Sequence, residues 1–158
     1  MSKRLRNVAM ALAIVSPIML LGCGNSVKYN DGVYTVFGSD YNFYNHKPFL
    51  VVEVNKGKMV QALFDAVSKD GKLITENRTL KSAMLTEFNT SPFGIAKELT
   101  LNLLINQGTS KTLEASSHKE AAQLFKDMSD SLISEKIKSK DKSKLEIKTT
   151  EIKPTESK

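Results

Sequence analysis

The chain has 158 residues, 41% of them hydrophobic and 25% charged, and 23 Lys and Arg against 17 Asp and Glu give it a formal net charge of +6. That excess lies at the two ends. Lys3, Arg4 and Arg6 open the chain, residues 134–158 hold eight Lys against five acids, and residues 24–133 balance 12 basic with 12 acidic side chains. A nucleic-acid binder carries its positive charge on the folded domain, so no nucleic-acid partner is expected.

The three basic residues precede an apolar stretch from Val8 to Leu21 that contains Pro17. Basic start and apolar run together read as a secretory signal. About 14 residues are too few for a settled transmembrane helix, which needs roughly 20. The run ends in Leu20-Leu21-Gly22-Cys23, and Cys23 is the sole cysteine. This ending resembles the lipobox of bacterial lipoproteins, which implies that Cys23 is lipidated on sulfur and becomes the mature N-terminus. Two or three acyl chains of palmitate length anchor stably where one is marginal. The expected location is a membrane surface facing the periplasm or the cell exterior, with residues 1–22 as signal peptide and 23–30 as anchor and linker. Removing the signal leaves 136 residues, enough for one domain with a modest core and no disulfide.

Asp31-Gly32 opens a first strand over Val33–Phe37, and "YNFYNHKP" follows as an aromatic, polar loop ending at Pro48. Phe49–Val54 is bulky and β-branched, the strongest strand signal in the chain. Asn55-Lys56-Gly57-Lys58 reads as a hairpin turn, Met59–Val67 as the returning strand, and Ser68-Lys69-Asp70-Gly71 as a turn into a fourth strand over Lys72–Thr75. Strands joined by such short turns imply an antiparallel meander, since parallel neighbours need long crossovers.

The period then changes to that of a helix. Leu80, Met84 and Phe88 recur at helical spacing, and Ser91-Pro92 offers a cap and a first-turn proline for Ile95, Leu99 and Leu103, with Gly108 as the stop. Ser117-His118-Lys119-Glu120 matches the S-x-x-E capping box before the apolar face Ala121, Phe125, Met128 and Leu132. Strands first and helices after predict an α+β domain over residues 31–133, an antiparallel meander with two or three helices on one face. Residues 134–158 lack aromatics and are rich in Lys, Ser, Thr and Glu, so a disordered basic tail is expected. Ile137, Leu145, Ile147 and Ile152 leave room within it for a short induced helix or strand. By charge the tail suits envelope proteins or anionic polymers and lipid.

No G-x-S-x-G, G-x-G-x-x-G or P-loop motif occurs. His46 and His118 are far apart in sequence and have no neighbouring Cys or His, so neither a metal site nor a catalytic constellation is expected, and His46 reads as a surface or packing residue. The one stretch suited to a ligand is the start of the last helix. Free N–H groups there favour phosphate, and Ser116, Ser117 and Lys119 add two hydroxyls and an ammonium.

"KYNDGVYTVF", "FLVVEVNKGKMVQALF" and "KDGKLITEN" together resemble the FMN-binding domain of bacterial membrane and surface lipoproteins, over roughly residues 28–133. That family closes with an S-G-A-T-x-S-S segment whose threonine receives FMN through its phosphate. Setting Phe125 on the family's helix aromatic places Ser116, Ser117, His118 and Lys119 on S-G-A-T, so the acceptor threonine is absent. The resemblance thus implies loss of covalent attachment, with FMN held loosely and non-covalently at Ser116, Ser117 and Lys119 for extracytoplasmic electron transfer. The alternative is a ligand-free envelope or surface interaction lipoprotein with a structural or adhesion role.

Overall fold

Alternating side chains build the sheet. In β1 (Gly32–Gly38), Tyr34 and Val36 are buried while Val33 and Thr35 face the other way. β2 (Lys47–Asn55) buries Leu50, Val52 and Val54, and β3 (Lys58–Val67) buries Phe64 and Ala66. The computed structural model describes residues 29–114, 116 and 118–152; Cys23, the expected signal peptide and Ser117 lie outside the described residues.

β1 pairs antiparallel with β2, and β2 with β3, through the expected two-residue hairpin. Lys56 (φ 51°) and Gly57 (φ 74°) are both left-handed. That is the twist a tight hairpin requires, and Gly57 adopts it without steric cost.

The fourth strand is not where turn signals put it. Lys72–Thr75 gives only a bridge between Val67 and Leu73 and then a 3-10 turn, Ile74–Glu76. Ile74 turns inward and is buried, and one apolar anchor serves a turn as well as a strand. Instead β4 (Leu145–Ile147) pairs parallel with β1, giving a mixed sheet in the order β3-β2-β1-β4. The expectation of disorder from Ser134 is therefore corrected through Ile152. A π-helical turn, Leu132–Ile137, extends the last helix, and Ile137, Leu145 and Ile152 bury their side chains. The composition of this stretch hides three well-spaced apolar anchors, each contributing about 1.5–3 kcal/mol of burial.

The architecture is α+β, with the helices over one face of the sheet. In α1 (Arg78–Phe88), Asn77 caps the N-terminus by accepting from Leu80 N at 3.0 Å. In α2 (Pro92–Asn106), Ser91 Oγ accepts from Gly94 N at 3.1 Å, with Pro92 in the first turn. The stop falls on Gln107, left-handed at φ 52°, rather than on Gly108. Gln107 is held there because its side chain bonds both Met59 N and Met59 O. α3 (Lys119–Ser131) lays Phe125 edge-on against Phe64, ring centres 5.1 Å apart, in a core with Leu50, Ile95, Leu99 and Leu103.

The domain has two distinct ends. At one, the chain enters: Tyr29 N donates to Gly57 O at 3.1 Å and Tyr29 Oη to Gln107 O at 2.6 Å. At the other lie the β1–β2 connection, the turn after β3, and the start of α3.

Candidate functional site

The start of α3 is closed by its own side chains. His118 is extended (φ −93°, ψ 92°), and its Nδ1 accepts from Ala121 N at 3.2 Å. The helix N-cap is therefore a histidine, one residue beyond the position the capping-box reading gave it. With Nδ1 acting as acceptor, the ring proton sits on Nε2 and is donated to Tyr44 Oη at 2.5 Å.

Tyr44 is brought to His118 by a tight turn. Tyr44 (φ 51°) and Asn45 (φ 62°) are both left-handed, between Phe43 and His46, which exchange backbone hydrogen bonds of 3.1 and 2.9 Å. Asn adopts this conformation readily, whereas a tyrosine there costs about 1–2 kcal/mol. Surrounding contacts hold it. Tyr44 N donates to Ile152 O at 2.8 Å, and His46 Nδ1 donates to Tyr44 O at 2.7 Å. His46 is thus a buried packing residue of the turn.

Phe88 lies against the His118 ring, 4.7 Å between centres, and Phe43 packs edge-on against Tyr44 at 5.2 Å. Burial pushes the His118 imidazole below its ordinary 6.5, outweighing the opposite pull of Glu120 and Glu87. Tyr44 is pushed up to about 12, first by burial and then by Glu87 and Glu120. Near neutral pH both groups are uncharged. Each His118 nitrogen already has a partner, so the pair offers a buried structural bond and no free base.

The expected ligand groups are drawn into the same closure. Ser116 is buried, and its Oγ accepts from His118 N at 3.2 Å. Lys119 Nζ donates to Leu113 O at 2.8 Å and Ser116 O at 3.0 Å, tying the preceding loop to the first turn of α3. Ser116 and Lys119 are neighbours, as the sequence suggested, but their polar atoms serve the backbone. Ser117 lies outside the described residues. Thr112 is fully buried, and its hydroxyl has no partner among the described residues.

Two cavities lie elsewhere at this end. One, of about 10 Å³, between Phe64, Ile74, Met84 and Ile95, has room for about one water. The other is an open cleft of about 320 Å³ lined by His46, Ser68, Asp70, Lys72, Glu76 and Asn77. That is near the lower limit for small-molecule sites, roughly 300 Å³. Its ammonium is committed, because Lys72 pairs with Asp70 at 2.9 Å and bonds from Ser68 and Lys72 hold Asp70 down to about 2. Two carboxylates at the cleft disfavour phosphate. Among the described residues, no group of three or more His, Cys, Asp or Glu is placed to hold a metal ion, and no helix is long and apolar enough to cross a membrane.

The fold is shared with a solved structure. The CPE2226 protein of Clostridium perfringens superposes with a TM-score of 0.69 at 15% identity, covering 76% of this chain and 98% of that one. A protein of Clostridium thermocellum reaches a TM-score of 0.44 at 18% identity over 68% of this chain and 93% of its own. No family model and no curated protein matches the sequence.

Tyr44 and Phe88, the partners of His118, are neighbours that sequence reasoning missed. The Tyr44-Asn45 pair before a histidine was the available signal, since Asn favours left-handed turns.

Proposed function

We propose that this chain is a lipid-anchored protein of the bacterial envelope whose domain is an interaction module and not a flavin carrier. The observation that carries this reading is the filled start of α3. The His118 ring, bonded to Tyr44 and packed against Phe88, caps the helix end where a phosphate would dock, and Lys119 is spent on carbonyls. A second feature supports interaction. On the sheet face away from the helices, Val33 and Leu63 stay about half exposed, at 56% and 49%, and flank the half-buried Val51. Contiguous apolar surface left open to solvent marks interaction sites. The anchor comes from Leu20-Leu21-Gly22-Cys23.

Two measurements test the reading on protein extracted from its native membrane. Intact mass should show acyl groups on Cys23 and loss of residues 1–22. The protein should be colourless, and FMN fluorescence should not change on titration. A yellow protein, or saturable quenching of FMN, would replace this reading with the flavin one, with Ser116, Ser117 and Lys119 as its first residues to mutate.

A further inference from the structure

The lysines of the domain are not spread evenly. Lys56 and Lys58 flank the tip of the β2–β3 hairpin, and Lys138, Lys140 and Lys142 occupy the turn between the π-helical segment and β4; all five are exposed. Hydrogen bonds bring these two turns together at Tyr29–Asp31. Tyr29 N donates to Gly57 O, and Gly57 N donates to Asp31 Oδ1 at 2.8 Å. Asn30 Nδ2 donates to Ile137 O at 2.9 Å and Lys138 O at 2.8 Å. A Cβ placed on Gly32 would lie 2.8 Å from Lys142 Cε, so that side chain lies along the start of β1. The two acids within these turns, Asp31 and Asp141, are already engaged. Asp31 accepts from Gly57, and Asp141 pairs with Lys136 at 2.6 Å. Among the described residues none of the five lysines is ion-paired.

The chain enters the fold at this same end. Tyr29 is six residues beyond Cys23, and six residues reach at most about 20 Å. A lipid on Cys23 therefore holds this end, and not the His118 end, against the bilayer. Exposed aliphatic groups accompany the lysines: Val33 near the start of β1, Val60 near the start of β3, and Ile105 near the end of α2. We infer that Lys56, Lys58, Lys138, Lys140 and Lys142 form a docking surface for anionic phospholipid headgroups, which sets the orientation of the anchored domain. This rests on the proposed anchor. It fixes which face meets the membrane and leaves the Tyr44–His118 end and its cleft pointing outward.

The test uses the whole chain from position 23 onward with Cys23→Ser, so that binding reports on the protein surface alone. Co-sedimentation is measured with phosphatidylcholine vesicles, with and without roughly one-third phosphatidylglycerol. Binding to the anionic vesicles only is expected, and it should vanish in about 0.5 M salt, where charges are screened within a few Å. Each lysine near an anionic surface is worth roughly a five-fold change in partitioning, so Lys138→Gln with Lys140→Gln and Lys142→Gln should weaken binding about 100-fold. The matching control, Lys69→Gln with Lys81→Gln and Lys97→Gln, removes the same charge from exposed lysines elsewhere and should change it less than five-fold. Equal losses in the two triple variants, equal binding to neutral vesicles, or displacement by millimolar glycerol phosphate would each overturn the surface. Failure of the anchor would appear separately, as an unacylated Cys23 in the native mass.

Discussion

His118 holds three neighbours at once, so its removal is the sharpest perturbation the domain offers. His118→Ala deletes the α3 cap, worth about 1 kcal/mol. It strands the buried Tyr44 hydroxyl, at about 1–3 kcal/mol, and leaves a gap beside Phe88 worth about 1 kcal/mol more. The sum is about 4 kcal/mol, which at a urea slope of about 2 kcal/mol per M lowers the midpoint by roughly 2 M. The pH profile then separates this bond from ordinary packing. Burial depresses the folded His118 pKa below 6.5, so as pH falls the unfolded chain takes up the proton first. Stability therefore falls as pH drops through 6.5 and levels off below the folded pKa. His118→Asn keeps a capping oxygen without a titrating ring, so the difference between wild type and this variant isolates the slope. Urea unfolding of both proteins between about pH 8 and pH 5 is the assay. Parallel pH curves for the two would refute a neutral, helix-capping His118.

Ile137 is fully buried in the π-helical turn, so Ile137→Ala should cost about 2–5 kcal/mol by thermal or urea unfolding; a loss under about 1 kcal/mol would mean the segment contributes little. Thr112→Val removes a buried hydroxyl with no described partner and should be neutral or stabilise by up to about 1 kcal/mol, which a measured loss above 1 kcal/mol would contradict. Asp141 is held down to about 2 by Lys136 and Ser143, so its contribution to stability is present above pH 3.8 and lost as pH falls toward 2. Asp141→Asn should flatten that acid limb, and an unchanged acid limb would show that the Lys136–Asp141 pair is energetically silent.

Local chemistry was legible wherever a residue type met a backbone demand on its own. The Lys56-Gly57 hairpin, the Ser91-Pro92 helix start, and the alternation of β1 and β2 all follow from neighbours within a few residues. What was hidden is long-range. Nothing near Leu145 announces that it will pair with Val36, because three residues with one buried side chain look like solvated tail. The N-cap falls on His118, one residue later than the S-x-x-E pattern reads, for a related reason. A cap is chosen by tertiary packing as well as by sequence, and His118 wins because Tyr44 and Phe88 stabilise the same ring that caps Ala121.

The segment after Ile137 serves both ends of the molecule, and removing it should separate those duties. Its first half carries Lys138, Lys140 and Lys142 beside Asn30. Its second half supplies β4 and then Ile152, whose N–H donates to Asn42 O at 2.6 Å and whose carbonyl accepts from Tyr44 N at 2.8 Å. Thr149 Oγ1 adds a bond to Asn42 Oδ1 at 2.7 Å. These contacts clamp the strained Tyr44 turn, and without them the left-handed Tyr44 can relax. A chain ending at Asp141 therefore keeps most of the lysine turn but loses the clamp. Gross burial of Leu145 and Ile152 is about 3–6 kcal/mol, offset in large part by the entropy of ordering the strand, so a net loss of about 2 kcal/mol is expected. Amide exchange locates the effect. Protection at Asn42–His46 should collapse, while the paired amides of β2 and β3 keep the highest protection in the domain. Vesicle binding should weaken only about five-fold, since Lys142 is lost while Lys56, Lys58, Lys138 and Lys140 remain. Retention of full protection at Tyr44 in the shortened chain would show that His118 alone holds the turn, and that β4 is a dispensable edge.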